Sequence, residues 1–285
     1  VTVIEMGPQV LPREDRDAAD IVQRSMERDG VKFVLNCETK RVESVDGEKR
    51  LHAFVDGAEQ VIAVDEILIG VGRRPNVDGM GLEEVGIEFD QRMGVKVNDY
   101  LQTSLPHVYA AGDVCMAWKF THAADFAARI VLKNALFSVG PFGKSKLSGL
   151  NMPWATYTHP EVAHVGLYAH DAEERGIEID TFTQPLDDVD RAILEGETEG
   201  FVKVHTRKGT DKIVGATIVA ANAGDMISEI SVAMASGAGL KTLANTIHPY
   251  PTQADAIRKV ASLYVRGQLT PFVKGMFDRW MAFRR

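Results

Sequence analysis

Val108-Tyr109-Ala110-Ala111-Gly112-Asp113 is the stretch on which the fold turns. A short apolar strand ends abruptly in Gly-Asp, and the apolar density from Asp125 to Phe137 predicts a buried helix after it. Strand, Gly-Asp and helix in that order place a carboxylate at the carboxyl edge of a parallel sheet, where open α/β sheets bind ligands. Gly112 lets a backbone approach closely, and Asp113 can hold a sugar-alcohol hydroxyl. A plain Gly-Asp turn fits the same residues when they stand alone.

Upstream, Val1-Thr2-Val3-Ile4-Glu5 reads as a buried strand, short and mostly β-branched, broken by Gly7 and Pro8. The spacing of Ala18, Ile21, Val22 and Met26 predicts a helix from Arg13 to Arg28, stopped by Gly30, and Val31 to Leu35 predicts the next strand. Asp46-Gly47 and Asp56-Gly57 then signal two tight hairpins. Glu66 to Val71 predicts a further apolar strand, leading into Gly70-Val71-Gly72-Arg73-Arg74-Pro75-Asn76. A parallel α/β pattern is thus interrupted by an antiparallel meander. The chain begins inside a strand, with no leading Met or loop, which predicts a further segment upstream.

Downstream, Gly140, Pro141, Gly143 and Gly149 mark 138–150 as a linker. After it the texture becomes α+β. Phe201 to Val204 and Ile213 to Ala221 read as strands joined near Lys208-Gly209, and Asp225 to Ser236 and Thr252 to Val265 as helices.

A chain of 285 residues is about two domains long and can bury roughly three quarters of its unfolded surface. The hydrophobic content of 45% and charged content of 25% exclude a disordered, collagen-like or coiled-coil protein. A net charge of −8 argues against nucleic acid as a partner. No apolar run is long enough to span a membrane. The cysteines Cys37 and Cys115 form neither a disulfide framework nor a metal cluster, and the scattered histidines lack metal-ligand spacing, so no metal site is expected. Two unrelated thiols suit a reducing, cytoplasmic setting.

Three further features carry chemistry. Glu5 ends a strand where an acid can accept both ribose hydroxyls of an adenine dinucleotide, which would favour NAD over NADP; a solvated strand-end acid reads the same way. In Ile247-His248-Pro249-Tyr250-Pro251-Thr252-Gln253-Ala254-Asp255, the prolines fix the shape. Tyr250 can donate a hydrogen bond or shuttle a proton and Asp255 can orient a partner, or the segment is simply a rigid helix start. The tail 271–285 mixes aromatic and basic residues. It can lie on a membrane surface, although such tails more commonly pack on their own protein or on a dimer mate.

In order along the chain, these motifs resemble the C-terminal part of the pyridine nucleotide-disulfide oxidoreductases, the family of dihydrolipoamide dehydrogenase, glutathione reductase and mercuric reductase. Val1 to Glu5 resembles the strand after the NAD glycine loop. Gly70 to Asn76 resembles the return from the NAD domain to the FAD domain. Thr103 to Asp113 resembles the second FAD motif, whose acid contacts the ribityl chain. Tyr157-Thr158-His159-Pro160-Glu161-Val162-Ala163, Val165-Gly166-Leu167, Asp190-Arg191-Ala192, Gly200-Phe201-Val202-Lys203 and Ile213-Val214-Gly215-Ala216 resemble the interface domain.

The resemblance implies an α/β chain of partial Rossmann-like nucleotide-binding domains followed by an α+β dimerisation domain. The implied divisions are 1–74 for the C-terminal part of the NAD-binding domain, 75–150 for that of the FAD-binding domain, and 151–285 for the interface domain. It implies FAD and NAD as cofactors of the full-length parent, a homodimer formed through 151–285, and a small-molecule electron acceptor. Gly112, Asp113, Phe120, Thr121, His122 and Ala123 would contact FAD, and Glu5 and Gly72 would contact NAD. Tyr250 and Asp255 stand where the family's general-base histidine and its glutamate usually are, with His248 two residues early. Tyrosine there, and Thr121-His122-Ala123-Ala124-Asp125, resemble the mercuric reductase branch. However, no cysteine follows Cys115, so the metal-delivering pair near that branch's C-terminus has no counterpart. The implied reaction passes a hydride from NADH to FAD and then electrons to a disulfide whose Cys-x4-Cys lies outside these residues. The chain taken alone would then be inactive, a dimerisation module. A dihydrolipoamide dehydrogenase parent is the alternative.

Overall fold

The computed structural model describes residues 1–140 and 142–284; Pro141 of the predicted linker and Arg285 of the tail lie outside them. The chain divides into two compact units, Val1–Ile67 with Pro153–Arg285, and Leu68–Met152.

The first unit opens with strand β1 (Thr2–Ile4), helix α1 (Arg16–Arg28) and strand β2 (Lys32–Val34), with β1 parallel to β2. Ala18, Ala19, Val22 and Ser25 form the buried side of α1, the i, i+3, i+4, i+7 spacing of one helix face. Strands β3 (Cys37–Val45), β4 (Glu48–Val55) and β5 (Ala58–Val64) form an antiparallel meander. Its two turns are the predicted Asp-Gly pairs. Asp46, Gly47, Asp56 and Gly57 all have positive φ (52°, 88°, 49° and 83°), the backbone of a two-residue turn that matches strand twist.

The strand predicted over Glu66 to Val71 does not form; the segment is irregular, and Leu68 and Val71 are 98% and 91% exposed. Apolar β-branched residues favour extended backbone, but a strand also needs a neighbour to take its amides and carbonyls, and none pairs with it among the described residues. The predicted strand over Val108 to Ala111 is likewise reduced to one bridge, Gln102 with Tyr109.

The second unit holds the short pair β6 (Phe89–Asp90) and β7 (Gly94–Val95), a 3-10 turn over Gly112–Val114, and helix α2 (Thr121–Leu132), which continues as a wider turn to Phe137. Ala123, Ala127 and Ile130 of α2 pack on Leu101, Met116 and Met152. The glycine-rich stretch after it is anchored: the Ser145 amide donates to Asn134 Oδ1 (2.8 Å) and Asn134 Nδ2 donates to the Ser145 carbonyl (2.9 Å).

The chain then returns to the first unit with β8 (Pro153–Thr156), β9 (Glu161–Gly166), α3 (Ala169–Glu174), β10 (Ile179–Pro185), α4 (Asp190–Glu195), β11 (Phe201–Arg207), β12 (Ile213–Ala220), α5 (Ala223–Ser236), α6 (Leu240–Asn245), α7 (Asp255–Gly267) and α8 (Pro271–Arg284). The five strands make one antiparallel sheet in the order β10-β11-β12-β9-β8.

One face of this sheet is apolar. Ala163, Val165, Val202, Val204, Ala216 and Ile218 meet Ile227 and Ile230 of α5 and Ile257 and Val260 of α7. The other face packs Val162, Phe201 and Val219 on Ala18 and Val22 of α1, then turns polar. There Trp154 Nε1 and the Tyr168 hydroxyl donate to the two oxygens of Glu14 (2.9 and 2.6 Å). Lys203 Nζ reaches Asp15 (3.0 Å) and Asp17 (2.6 Å), and His164 Nδ1 bonds the Thr217 hydroxyl (2.8 Å). Burial raises the Glu14 carboxyl above its ordinary range and holds His164 down at about 4. Helix α8 buries no residue.

Candidate functional site

In the second unit, the Gly112-Asp113 turn sits against the start of α2. Gly112 has φ of +80°, and a Cβ there would stand 3.0 Å from that of Ala124, so glycine is required where the helix's first turn lies on the strand end. Gly94 is held still more tightly: a Cβ would fall 2.0 Å from the Val114 carbonyl. Asp113 projects its carboxylate outward, half exposed, with Arg73 Nη1 at 3.4 Å. The same guanidinium nitrogen donates to the Lys119 carbonyl (2.9 Å), which ties the Gly72-Arg73 loop to the residues before α2.

Phe120 precedes α2 in extended conformation, and the helix begins without a side-chain cap. Its N-terminus carries the partial positive charge of the helix dipole. Thr121 and His122 are exposed, and the His122 ring stacks on Phe120 at 5.3 Å. Ala123 is fully buried in the helix packing, so it offers only backbone. Gly72 lies in open coil with φ of +110°. Together these supply an outward carboxylate for hydroxyl groups, on a turn that Gly112 packs against the helix, and a positive helix end. This set fits a cofactor that carries a polyhydroxyl chain.

In the first unit, Glu5 ends β1, and its Oε1 accepts the Gly7 amide (2.8 Å), so part of its acceptor capacity closes the turn after the strand.

Tyr250 is 73% exposed, and its hydroxyl donates to Asp190 Oδ2 at 2.7 Å. That bond raises the phenol's pKa, because ionisation would set two negative charges against each other. Tyr250 therefore stands as a protonated donor, not a base. Asp255 begins α7 and accepts from Arg258 Nε (2.7 Å), one turn along the same helix. It is thus Asp190, on α4, that holds Tyr250. His248 lies between two acceptors, Glu229 Oε1 at 2.8 Å and the Thr246 carbonyl at 3.0 Å. Sequence reading assigns no site role to Asp190 or Glu229. The Asp190-Arg191-Ala192 motif is the signal that could have drawn attention to the first; nothing local marks the second.

Both cysteines are free, Cys37 buried and Cys115 half-buried, and burial pushes the Cys115 thiol up to about 11. Among the described residues, no group of three or more His, Cys, Asp or Glu is placed to hold a metal, and no helix is long and apolar enough to cross a membrane.

Comparison with known proteins gives the family that the chain resembles. A pyridine nucleotide-disulphide oxidoreductase model matches residues 1–128, and the dimerisation-domain model of the same family matches 152–261. A dihydrolipoyl dehydrogenase of Thermus scotoductus is 35% identical over 92% of this chain and 56% of its own length. A mercuric reductase of Staphylococcus aureus is 33% identical over 92% of this chain and 47% of its own. Among solved structures, the HOCl-induced flavoprotein disulfide reductase RclA of Escherichia coli superposes with a TM-score of 0.82 at 28% identity, over 92% of this chain and 59% of that one. LpdA of Mycobacterium tuberculosis gives a TM-score of 0.84 at 28% identity, over 93% and 56%. The chain spans about half the length of the curated relatives it matches.

Proposed function

The chain belongs to the pyridine nucleotide-disulfide oxidoreductase family, and on that footing we propose that it is the C-terminal part of an FAD- and NADH-dependent enzyme reducing a small-molecule acceptor of mercuric or disulfide type. Bound flavin would supply the hydride and electron transfer, taking hydride from the nicotinamide and passing electrons to a redox disulfide. This chain's residues bind and orient. Asp113 holds hydroxyls of the cofactor's polyhydroxyl chain, Gly112 brings the turn that carries it close against α2 beside the cofactor, and the start of α2, from Phe120 to Ala123, faces the cofactor's electron-rich end. Glu5 accepts ribose hydroxyls of the nicotinamide nucleotide and disfavours a 2′-phosphate there. The domain divisions near 74 and 150 follow the same reading, with 151–285 forming a homodimer, in a cytoplasmic setting.

The observation that carries this reading is the outward Asp113 carboxylate on the Gly112 turn at the start of α2. Its test is flavin content. In the enzyme of full family length, Asp113→Asn should weaken flavin retention by roughly tenfold or more, the loss of one charged hydrogen bond. Unchanged flavin absorbance after dialysis would remove Asp113 from the site.

The Tyr250–Asp190 bond favours the mercuric branch over a dihydrolipoamide dehydrogenase. A dithiol substrate needs a base to take its proton, and a phenol kept protonated cannot serve. To serve the acceptor, Tyr250 would turn its one hydroxyl proton away from Asp190 and toward the acceptor's developing negative charge. Tyr250→Phe should lower turnover with the true acceptor by tenfold or more and leave flavin content unchanged. Equal turnover with every candidate acceptor would exclude Tyr250.

A second reading has its own support. The five-stranded sheet and its helices close a complete apolar core within 153–285, which suits a dimerisation module that folds without catalysis. Stoichiometric flavin on the purified 285-residue chain would rule out a purely structural role; we expect none to be retained.

A further inference from the structure

Helices α7 and α8 follow one another and are nearly equal in length, but α7 buries five residues and α8 none. In α8, Phe272 is 81% exposed, Trp280 57% and Phe283 84%. Packing of this tail on its own protein, the commoner fate of such segments, is therefore absent from the described residues.

The exposed side chains are not scattered. At about 100° per residue, Phe272, Val273, Met276, Phe277, Trp280, Met281 and Phe283 fall within one arc of about 180°. Lys274 and Arg279 stand just outside its two borders, and Gly275, Asp278 and Ala282 occupy the opposite side. Arg284 alone falls inside the arc, on the last turn. Its guanidinium lies over the Trp280 ring at 5.9 Å, and its stem is long enough to carry the charge out of an apolar layer. Among the described residues, neither Lys274 nor Arg279 is ion-paired.

Charge separates the tail from the rest. Residues 271–285 hold four basic residues and one acidic, net +3, whereas the remaining 270 hold 28 basic and 39 acidic, net −11. Fourteen helical residues reach about 21 Å, short of the roughly 30 Å hydrocarbon core, so α8 does not cross a bilayer. A helix seated in a protein groove buries a stripe on the order of 100° wide. Half a helix of Phe, Trp and Met bordered by cations on both sides instead matches a flat apolar layer capped by anions.

We infer that α8 is an interfacial helix that lies in the plane of a lipid bilayer bearing anionic headgroups. Trp280 and the phenylalanines enter the acyl boundary, while Lys274, Arg279 and Arg284 pair with headgroups. This inference is independent of the flavin and acceptor assignments.

The test is co-sedimentation of the full chain with vesicles of equimolar phosphatidylcholine and phosphatidylglycerol, against vesicles of phosphatidylcholine alone. Binding should be confined to the anionic vesicles and should weaken with added salt. K274Q/R279Q/R284Q should lower affinity on the order of 100-fold, about fivefold per charge. F272S/W280S/F283S should abolish binding at unchanged far-ultraviolet circular dichroism. Absence of sedimentation with the anionic vesicles, or equal binding by the wild-type chain and the triple serine variant, would overturn the inference. So would a fall in oligomeric state by light scattering in the serine variant, because α8 would then be packing on a second copy of the chain.

Discussion

The two faces of the five-stranded sheet are made by alternate residues of the same strands, yet they are held by different forces. Toward α5 and α7 the contacts are apolar and mostly aliphatic: Val202, Val204, Ala216 and Ile218 meet Ile227, Ile230, Ile257 and Val260, with Tyr264 and Phe182 at one side. Toward α1, a smaller apolar patch gives way to Glu14 between Trp154 and Tyr168, Lys203 between Asp15 and Asp17, and His164 against Thr217. The apolar face is non-directional and insensitive to pH. The polar face is directional, and each buried group on it depends on a partner contributed by the N-terminal segment or a neighbouring strand. The first sets the magnitude of stability; the second fixes where residues 9–28 sit and makes the stability titrate.

The largest effect should come from breaking the apolar face. Ile218→Ala at a fully buried position should cost roughly 4 kcal/mol in urea denaturation, from lost transfer energy and the cavity left behind. Breaking the polar face at its ion cluster comes next. Lys203→Met leaves Asp15 and Asp17 facing each other without their cation, and should cost about 2 to 3 kcal/mol, less than a wholly buried pair because Asp17 is half exposed. A cost below that of a surface ion pair would mean the cluster is solvated.

Of the two faces, only the polar one should contribute to the pH dependence of stability. His164 titrates at about 4 in the fold, below its ordinary 6.5, so the unfolded chain binds more protons between these values. Its contribution is fully present above pH 6.5 and is lost as pH falls toward 4, about 2 kcal/mol between pH 7 and 5. His205, also lowered by burial, acts in the same direction. Glu14 opposes them: its pKa is raised from 4.5, so its contribution is fully present below 4.5 and lost as pH rises. Thermal melts of His164→Gln should show a shallower loss from pH 7 to 5 than wild type; an equal slope would put the titration elsewhere. The smallest effect should be Trp154→Phe, which removes one of the two donors to the Glu14 carboxylate and costs about 1 kcal/mol, with the aromatic packing kept.

How far each region can be read from sequence follows the same division. The Asp46-Gly47 and Asp56-Gly57 hairpins are legible because the turn's backbone demand is met by two adjacent residues. The Gly112-Asp113 turn is legible for the same reason. The segment from Glu66 to Val71 misleads, since its strand character is local while the ladder it needs is not. At the candidate site, Tyr250 stands out in its proline-bounded segment, but its partner Asp190 lies 60 positions upstream, and Asp255, chosen by spacing, turns to Arg258.

The Asp-Gly turns, the helices around residues 18–26 and 225–236, and the family motifs are legible along the chain, because each is written in residues close together. That Glu14 answers Tyr168 across 154 positions, that Tyr250 donates its hydroxyl hydrogen bond to Asp190, and that the aromatic face of α8 is uncovered among the described residues can be seen only in the folded chain. Burial and pairing of polar groups are properties of positions in space, and residue type sets only what each group requires when it arrives there.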